Sequence, residues 1–179
     1  MIWTYILFSG CFILLILIIF INIYNKYQNI FIKIDEAENN IDIILQKKLD
    51  YLIRSIPIIK DNLKDMDDFL VKSSSINIKE LNNFEMNDQV KILQKEFNEV
   101  LDLNKNLNKI DSLNSLLKEM YDNENDLEGA KAYYNDNVTI YNNLVKKIPY
   151  SMIAKMYHYK HKEFYIDEKD EIFEILKNK

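Results

Sequence analysis

Residues 24–71 read YNKYQNIFIKIDEAENNIDIILQKKLDYLIRSIPIIKDNLKDMDDFLV. Apolar side chains recur there at Ile30, Ile34, Ala37, Ile41, Leu45, Leu49, Leu52, Ile56, Ile59, Leu63, Met66 and Leu70. Every step is three or four residues, so all of them fall on one stripe of one amphipathic helix. Such a helix, from about Tyr24 to Val71, is roughly 70 Å long at ~1.5 Å per residue. Pro57 lies inside the stripe and removes a backbone bond to the carbonyl of Ile53. The stripe keeps its phase across it, which predicts a bend rather than a stop.

Upstream of this helix the chain is almost wholly apolar, and its first charged side chain is Lys26. Thr4, Tyr5, Ser9, Gly10 and Asn22 are the interruptions between Ile2 and Ile23. Roughly 20 such residues cross the ~30 Å hydrocarbon core of a bilayer as a helix. A cleavable signal peptide needs a basic start and a small-residue exit, and both are missing. Phe8-Ser9-Gly10-Cys11 resembles the pattern before a lipid-modified cysteine, but most of the apolar run follows Cys11 instead of preceding it. The reading adopted is an uncleaved anchor. No Lys or Arg precedes the span, whereas Lys26, Lys33, Lys47 and Lys48 follow it. This bias predicts a short N-terminus outside and a domain in the cytoplasm, at the cell membrane, on a single pass.

Downstream, Lys72-Ser73-Ser74-Ser75-Ile76-Asn77 reads as a loop. A second stripe follows at Val90, Leu93, Phe97, Val100 and Leu107, and a third at Leu113, Leu117, Met120, Leu127, Ala130, Tyr134, Val138, Tyr141, Val145 and Ile148. Asn104 to Asn108 weakens the helix between them, because Asn side chains compete for backbone hydrogen bonds. The spacing leaves open whether these two helices are separate or continuous near residues 104–111; Asp111 or Ser112 is the candidate cap. Pro149 stops the third helix. A short helix from Tyr150 to Tyr159 and an amphipathic one from Asp167 to Leu176 complete the reading.

Composition agrees. The chain has 179 residues but only two Gly and two Pro, against averages near 7% and 5%, and hairpins need such residues. The one cysteine lies in the apolar run, so there is no disulfide framework or thiolate metal site. A net charge of −5 argues against nucleic acid as a partner. The fold class predicted is all-α: an elongated antiparallel bundle of three long helices plus short C-terminal helices, tethered by one N-terminal transmembrane helix. Residues 1–23 are the anchor and residues 24–179 the bundle domain.

Glu124-Asn125, Leu127, Ala130-Lys131, Tyr134-Asn135, Val138, Tyr141-Asn142, Ile148-Pro149 and Ile153-Ala154 together resemble the signature of the LemA family. The first long helix matches as well, with Tyr24-Asn25, Ile41-Asp42, Leu45, Lys47-Lys48 and Asp50. The chain departs from the family where its Pro comes late, at Pro57, where a Tyr-Pro before the last long helix is absent, and where a Gly-Phe is replaced by His158-Tyr159. The resemblance implies a helical bundle on a single-pass anchor with the N-terminus outside. It supplies no reaction.

Two groups of residues carry the functional reading. Glu124 and Lys131 fall on the third stripe, as an ion pair that fixes register between helices or as a ligand contact. Tyr134-Asn135 and Tyr141-Asn142 lie two turns apart, so the tyrosines share one face and the asparagines the next. The architectural reading is buried Tyr hydroxyls with satisfied partners and Asn bridging helices; the sharper one is a peptide or headgroup site near the bilayer, with Tyr24-Asn25 joining in. The second group is basic: Lys146, Lys147, Lys155, Lys160 and Lys162, around His158 and His161, form a candidate membrane-surface contact. No Cys or paired carboxylate completes a metal site with the histidines. No nucleophile motif or Gly-rich phosphate loop is present, so catalytic residues and cofactors are expected to be none.

The expected function is a non-enzymatic, membrane-anchored interaction or scaffold module whose partners are lipid, through the anchor, and another protein. The alternatives are a structural envelope protein that self-associates as a homo-oligomer through its long helices, with Phe69, Phe84 and Ile92 as seam candidates, or an extracytoplasmic lipoprotein anchored at Cys11.

Overall fold

A computed structural model describes residues 1–61 and 82–165, with the side chains of Asn83 and Asn108 left undescribed. Among these residues the chain is helical, with no strand. Helix α1 runs unbroken from Ile2 to Lys60, so the apolar segment and the first stripe belong to one helix. Helix α2 spans Asn83–Leu103, a 3-10 turn spans Lys105–Lys109, α3 spans Asp111–Lys146 and α4 spans Tyr150–Met156. The expected loop at Lys72–Asn77, the stripe positions Leu63, Met66 and Leu70, the seam candidate Phe69 and the last helix from Asp167 lie outside the described residues.

Local chemistry sets the helix ends. Asn82 caps α2, its Oδ1 accepting from the N–H groups of Phe84 and Glu85, each at 3.0 Å. Glu85 reaches back to accept from the Asn82 N–H at 3.0 Å, closing a capping box. The Asn-rich stretch breaks the helix as its composition predicts: Asn104 donates from Nδ2 to the Val100 carbonyl at 2.9 Å and a 3-10 turn follows. The second and third helices are therefore separate. Helix α3 begins at Asp111, whose charge sits in the first turn where the helix dipole favours an anion. Pro57 lies inside α1, three residues before its end.

The short helix ends earlier than the sequence predicts, at Met156 rather than Tyr159. His158 adopts φ 55°, leaving the right-handed region. Its N–H donates to the Lys155 carbonyl at 3.3 Å, and the Tyr159 N–H donates to that of Ala154 at 2.8 Å. This pair of bonds is a Schellman termination, which usually has Gly where His158 stands.

The chain divides into two compact units, one of Met1–Glu36 with Tyr133–Lys179 and one of Ala37–Ala132. In the second unit the core comprises Ile41, Leu45, Leu49, Leu52 and Ile59 of α1, Met86, Val90, Leu93 and Phe97 of α2, and Leu113, Leu116, Met120 and Leu127 of α3. Leu107 of the 3-10 turn is buried as well. Rising positions on α1 meet falling positions on α3. Asn123 donates to the Ile44 carbonyl at 3.2 Å, and Arg54 approaches Glu119 at 3.8 Å, so the helices are antiparallel there.

In the first unit, α1 is exposed from Met1 to Ile19 and turns its first buried side chain inward at Ile23. This segment is long and apolar enough to cross a membrane. Beyond it, Tyr27, Ile30 and Ile34 pack in a core with Tyr134, Val138, Tyr141 and Leu144 of α3, Ile153 and Ala154 of α4, and Tyr165. Ile148, placed by its spacing on the third stripe, is instead 81% exposed. Helix α3 has ended at Lys146, and the turn through Lys147–Pro149, with a cis Ile148–Pro149 peptide, carries Ile148 off the buried face.

Candidate functional site

The two Tyr-Asn pairs of α3 hold an extended stretch of the chain's own backbone. The Asn142 carboxamide donates to the Lys162 carbonyl at 2.9 Å and accepts from the Lys162 N–H at 3.0 Å. Asn135 does the same with Tyr165, at 2.8 and 2.9 Å. Each carboxamide thus pairs with the N–H and the C=O of one residue as a neighbouring strand would, satisfying a donor and an acceptor together. The two tyrosines add single bonds. Tyr141 donates to the Lys160 carbonyl at 2.8 Å and Tyr134 to that of Glu163 at 3.2 Å.

The spacing follows from elementary geometry. Seven helical residues advance about 10.5 Å, and three extended residues about 10 Å. Asn142 to Asn135 along α3 therefore matches Lys162 to Tyr165 along the segment, and a period-seven pair on the helix reads a period-three pair on the extended chain. All six hydrogen bonds fall on main-chain groups, so the clamp recognises backbone geometry rather than particular side chains. The sequence reading expected these asparagines to bridge helices; the structure has them bridge a helix and an extended segment.

Beside the clamp lies an aromatic cluster. Tyr27 is fully buried, with ring centroids 6.2 Å from Tyr141, 6.4 Å from Tyr150 and 5.0 Å from Tyr159, all edge-on. Phe31 lies 5.2 Å from Tyr141 and 5.0 Å from Tyr159. The Tyr27 hydroxyl donates to the Tyr150 carbonyl at 3.3 Å. Burial first, and then the neighbouring Tyr141, Tyr159 and Tyr150, push its pKa up to about 12. Burial likewise raises Tyr141 and Tyr159 above the ordinary tyrosine value. These hydroxyls stay protonated as donors at neutral pH.

Tyr27, Phe31 and Tyr159 carry much of this site and were not singled out from the sequence. Tyr27 had a signal, since 27, 30 and 34 continue the α1 stripe backwards in steps of three and four. Tyr24, expected to join the face, instead stands 5.8 Å from Tyr157, and Asn25 is exposed.

Glu124 and Lys131 are placed differently from one another. The Glu124 carboxylate accepts from the Nζ of Lys48 on α1, so its partner is on the facing helix. Lys48 is buried and Glu124 half-buried, the arrangement in which a pair fixes register at little net gain. Lys131 is buried too, seven residues along α3. Of the basic group, Lys146, Lys147, Lys155 and Lys160 are exposed, while Lys162 is half-buried where Asn142 grips its backbone. His158 and His161 are exposed. Among the described residues no group of three His, Cys, Asp or Glu is placed to hold a metal ion.

The model of the LemA family matches residues 37–174. Neither a curated protein nor a solved structure matches the chain.

Proposed function

This chain belongs to the LemA family, and from that premise we propose that it works as a non-enzymatic interaction module held at a membrane by its first helix. The observation that carries the reading is the change in exposure along α1. The helix is apolar and exposed up to Ile19, then presents a buried stripe from Ile23 onward without a break. An exposed apolar surface of that extent is stable in lipid and not in water. Trp3 and Tyr5 at one end and Tyr24 at the other fit the two aromatic belts of a bilayer. Trp3 and Tyr24 are about 32 Å apart along the helix, close to the ~30 Å hydrocarbon thickness.

The bundle lies on the cytoplasmic side in this proposal, because the lysines follow the span. What it offers a partner is an exposed helical surface. Mass spectrometry of membrane-extracted protein should recover the N-terminal peptide intact; a mature chain starting at an acylated Cys11 would replace this reading with the lipoprotein one. In a Cys11→Ser background, Lys105→Cys on the exposed 3-10 turn should resist a membrane-impermeant thiol reagent in intact cells and react after lysis. Labelling of intact cells would overturn the cytoplasmic assignment. Cross-linking at the same position, followed by affinity purification of the full chain, tests for the partner: recovery of cross-links only to further copies of the chain would favour self-association.

A further inference from the structure

Within the first unit, α3 approaches the end of the membrane span. Tyr141 packs on Tyr27 and Phe31, Tyr150 on Tyr27 and Lys26, and Tyr157 on Tyr24, so contacts with α1 step toward the span as the chain advances past Tyr141. Helix α4 then lies beside residues immediately after Ile23. The Lys26 Nζ stands 5.1 Å from the centre of the Tyr150 ring, and Tyr157 packs on Tyr24. The turn and α4 thus sit at the height of the bilayer interface set by the anchor.

Their outer surface is apolar where solvent would favour polar residues. Ile148, Met152 and Met156 are 81%, 67% and 56% exposed. They recur every four residues, and Met152 and Met156 share one face of α4. Charge is sorted around them. From Asn137 to Lys162 the sequence has five lysines and no Asp or Glu, in a chain whose net charge is −5. Lys146, Lys147 and Lys155 flank the apolar residues and are exposed.

We propose that the Lys147–Pro149 turn and α4 form an interfacial foot that enters the headgroup layer of an anionic membrane. Ile148, Met152 and Met156 reach the acyl boundary, and Lys146, Lys147 and Lys155 meet lipid phosphates. The inference rests on the membrane-anchored reading above. Bilayer lipid is the occupant because the foot lies within a few residues of the span in the same compact unit, so lipid is the surface nearest to it. An apolar face ringed by lysine is the pattern of a helix lying in an interface, and each lysine near an anionic surface adds to the attraction. The foot would fix the rotation of the unit about the axis of α1, which a single spanning helix would leave free.

The full chain, reconstituted in vesicles of phosphatidylcholine with or without phosphatidylglycerol, tests this with an environment-sensitive fluorophore on single cysteines. Wild-type Cys11 reports the anchor. In a Cys11→Ser background, Ile148→Cys and Met152→Cys report the foot, and Asp136→Cys reports exposed α3 about 15 Å farther along the helix. In phosphatidylglycerol vesicles both foot labels should be blue-shifted and quenched by shallow lipid nitroxides, several-fold more than in phosphatidylcholine alone. The Asp136 label should stay water-like and the Cys11 label should be quenched by deep nitroxides. Replacing Lys146, Lys147 and Lys155 by Gln, all exposed and tolerant of change, should bring foot quenching in phosphatidylglycerol down to the phosphatidylcholine level. Water-like foot labels beside a deeply quenched Cys11 would overturn the foot and leave the anchor standing. A water-like Cys11 would overturn both. Equal quenching in the two lipids would overturn the anionic recognition, and shielding seen only in native membranes, not in pure vesicles, would show that a protein covers this face instead.

Discussion

Replacing Asn142 by Asp changes one nitrogen for one oxygen at the centre of the clamp. The wild-type carboxamide supplies a donor to the Lys162 carbonyl at 2.9 Å and an acceptor to its N–H at 3.0 Å. A carboxylate keeps the second bond and turns the first into two oxygens facing each other. Removing both bonds, as in Asn142→Ala, loses about 1 kcal/mol for each, or about 2 in total. Asn142→Asp should lose more at neutral pH, on the order of 3 kcal/mol, because a nine-tenths buried charge is left against a carbonyl. That is a large share of the ~5–15 kcal/mol that holds a domain together. The two variants separate on acidification. Once protonated, the introduced carboxyl can donate to the Lys162 carbonyl, so the folded state binds that proton more tightly than the unfolded one. Stability relative to wild type therefore rises as pH falls through the carboxyl titration, whereas Asn142→Ala keeps a constant deficit. The assays are thermal melts of the full chain in detergent at a series of pH values, with hydrogen exchange at the Lys162 and Tyr165 amides. Exchange should quicken at both, because the segment undocks as one piece. Asn142→Asp melting like wild type at neutral pH, or a deficit that ignores pH, would refute the clamp.

Tyr27 gives an alkaline signature: the folded state holds its proton up to about 12, so stability present below the ordinary value of ~10 is lost between these limits, by about 2–3 kcal/mol in all. Tyr27→Phe should flatten that fall in alkaline melts, and an unchanged slope would discount the buried hydroxyl. His158→Gly should raise the melting temperature by relieving φ 55°, with a gain of about 1 kcal/mol; destabilisation would mean that the imidazole contributes more than its backbone strain costs. Glu124→Ala should cost about 3 kcal/mol by stranding the buried Lys48 ammonium, while Lys48→Met should cost much less; equal losses in denaturant unfolding would refute the register-pair account.

Whatever depends on period and composition could be read along the chain. The steps of three and four in α1, continued by α2 and α3, require helices with one buried face, and that face is buried wherever the residues are described, from Ile30 to Ile59 and from Val90 to Tyr141 with few exceptions. The apolar run before Lys26, the break at the asparagines and the stop before Pro149 are local properties of the chain, legible for the same reason. The Tyr-Asn pairs were visible as a face, since helix geometry alone puts them in line.

What those pairs hold emerged only in three dimensions. The partners of Asn135 and Asn142 are main-chain groups of Tyr165 and Lys162, and a backbone carbonyl has no sequence signature. Lys48 became the partner of Glu124 only because antiparallel packing brings two positions 76 residues apart into register. The placing of α4 beside the α1 residues that follow the apolar run, and with it the exposure of Ile148 that periodicity placed inside, likewise follows from how the chain turns after Lys146. A repeat fixes which residues share a face of a helix; which surface that face meets depends on packing among segments far apart in the chain.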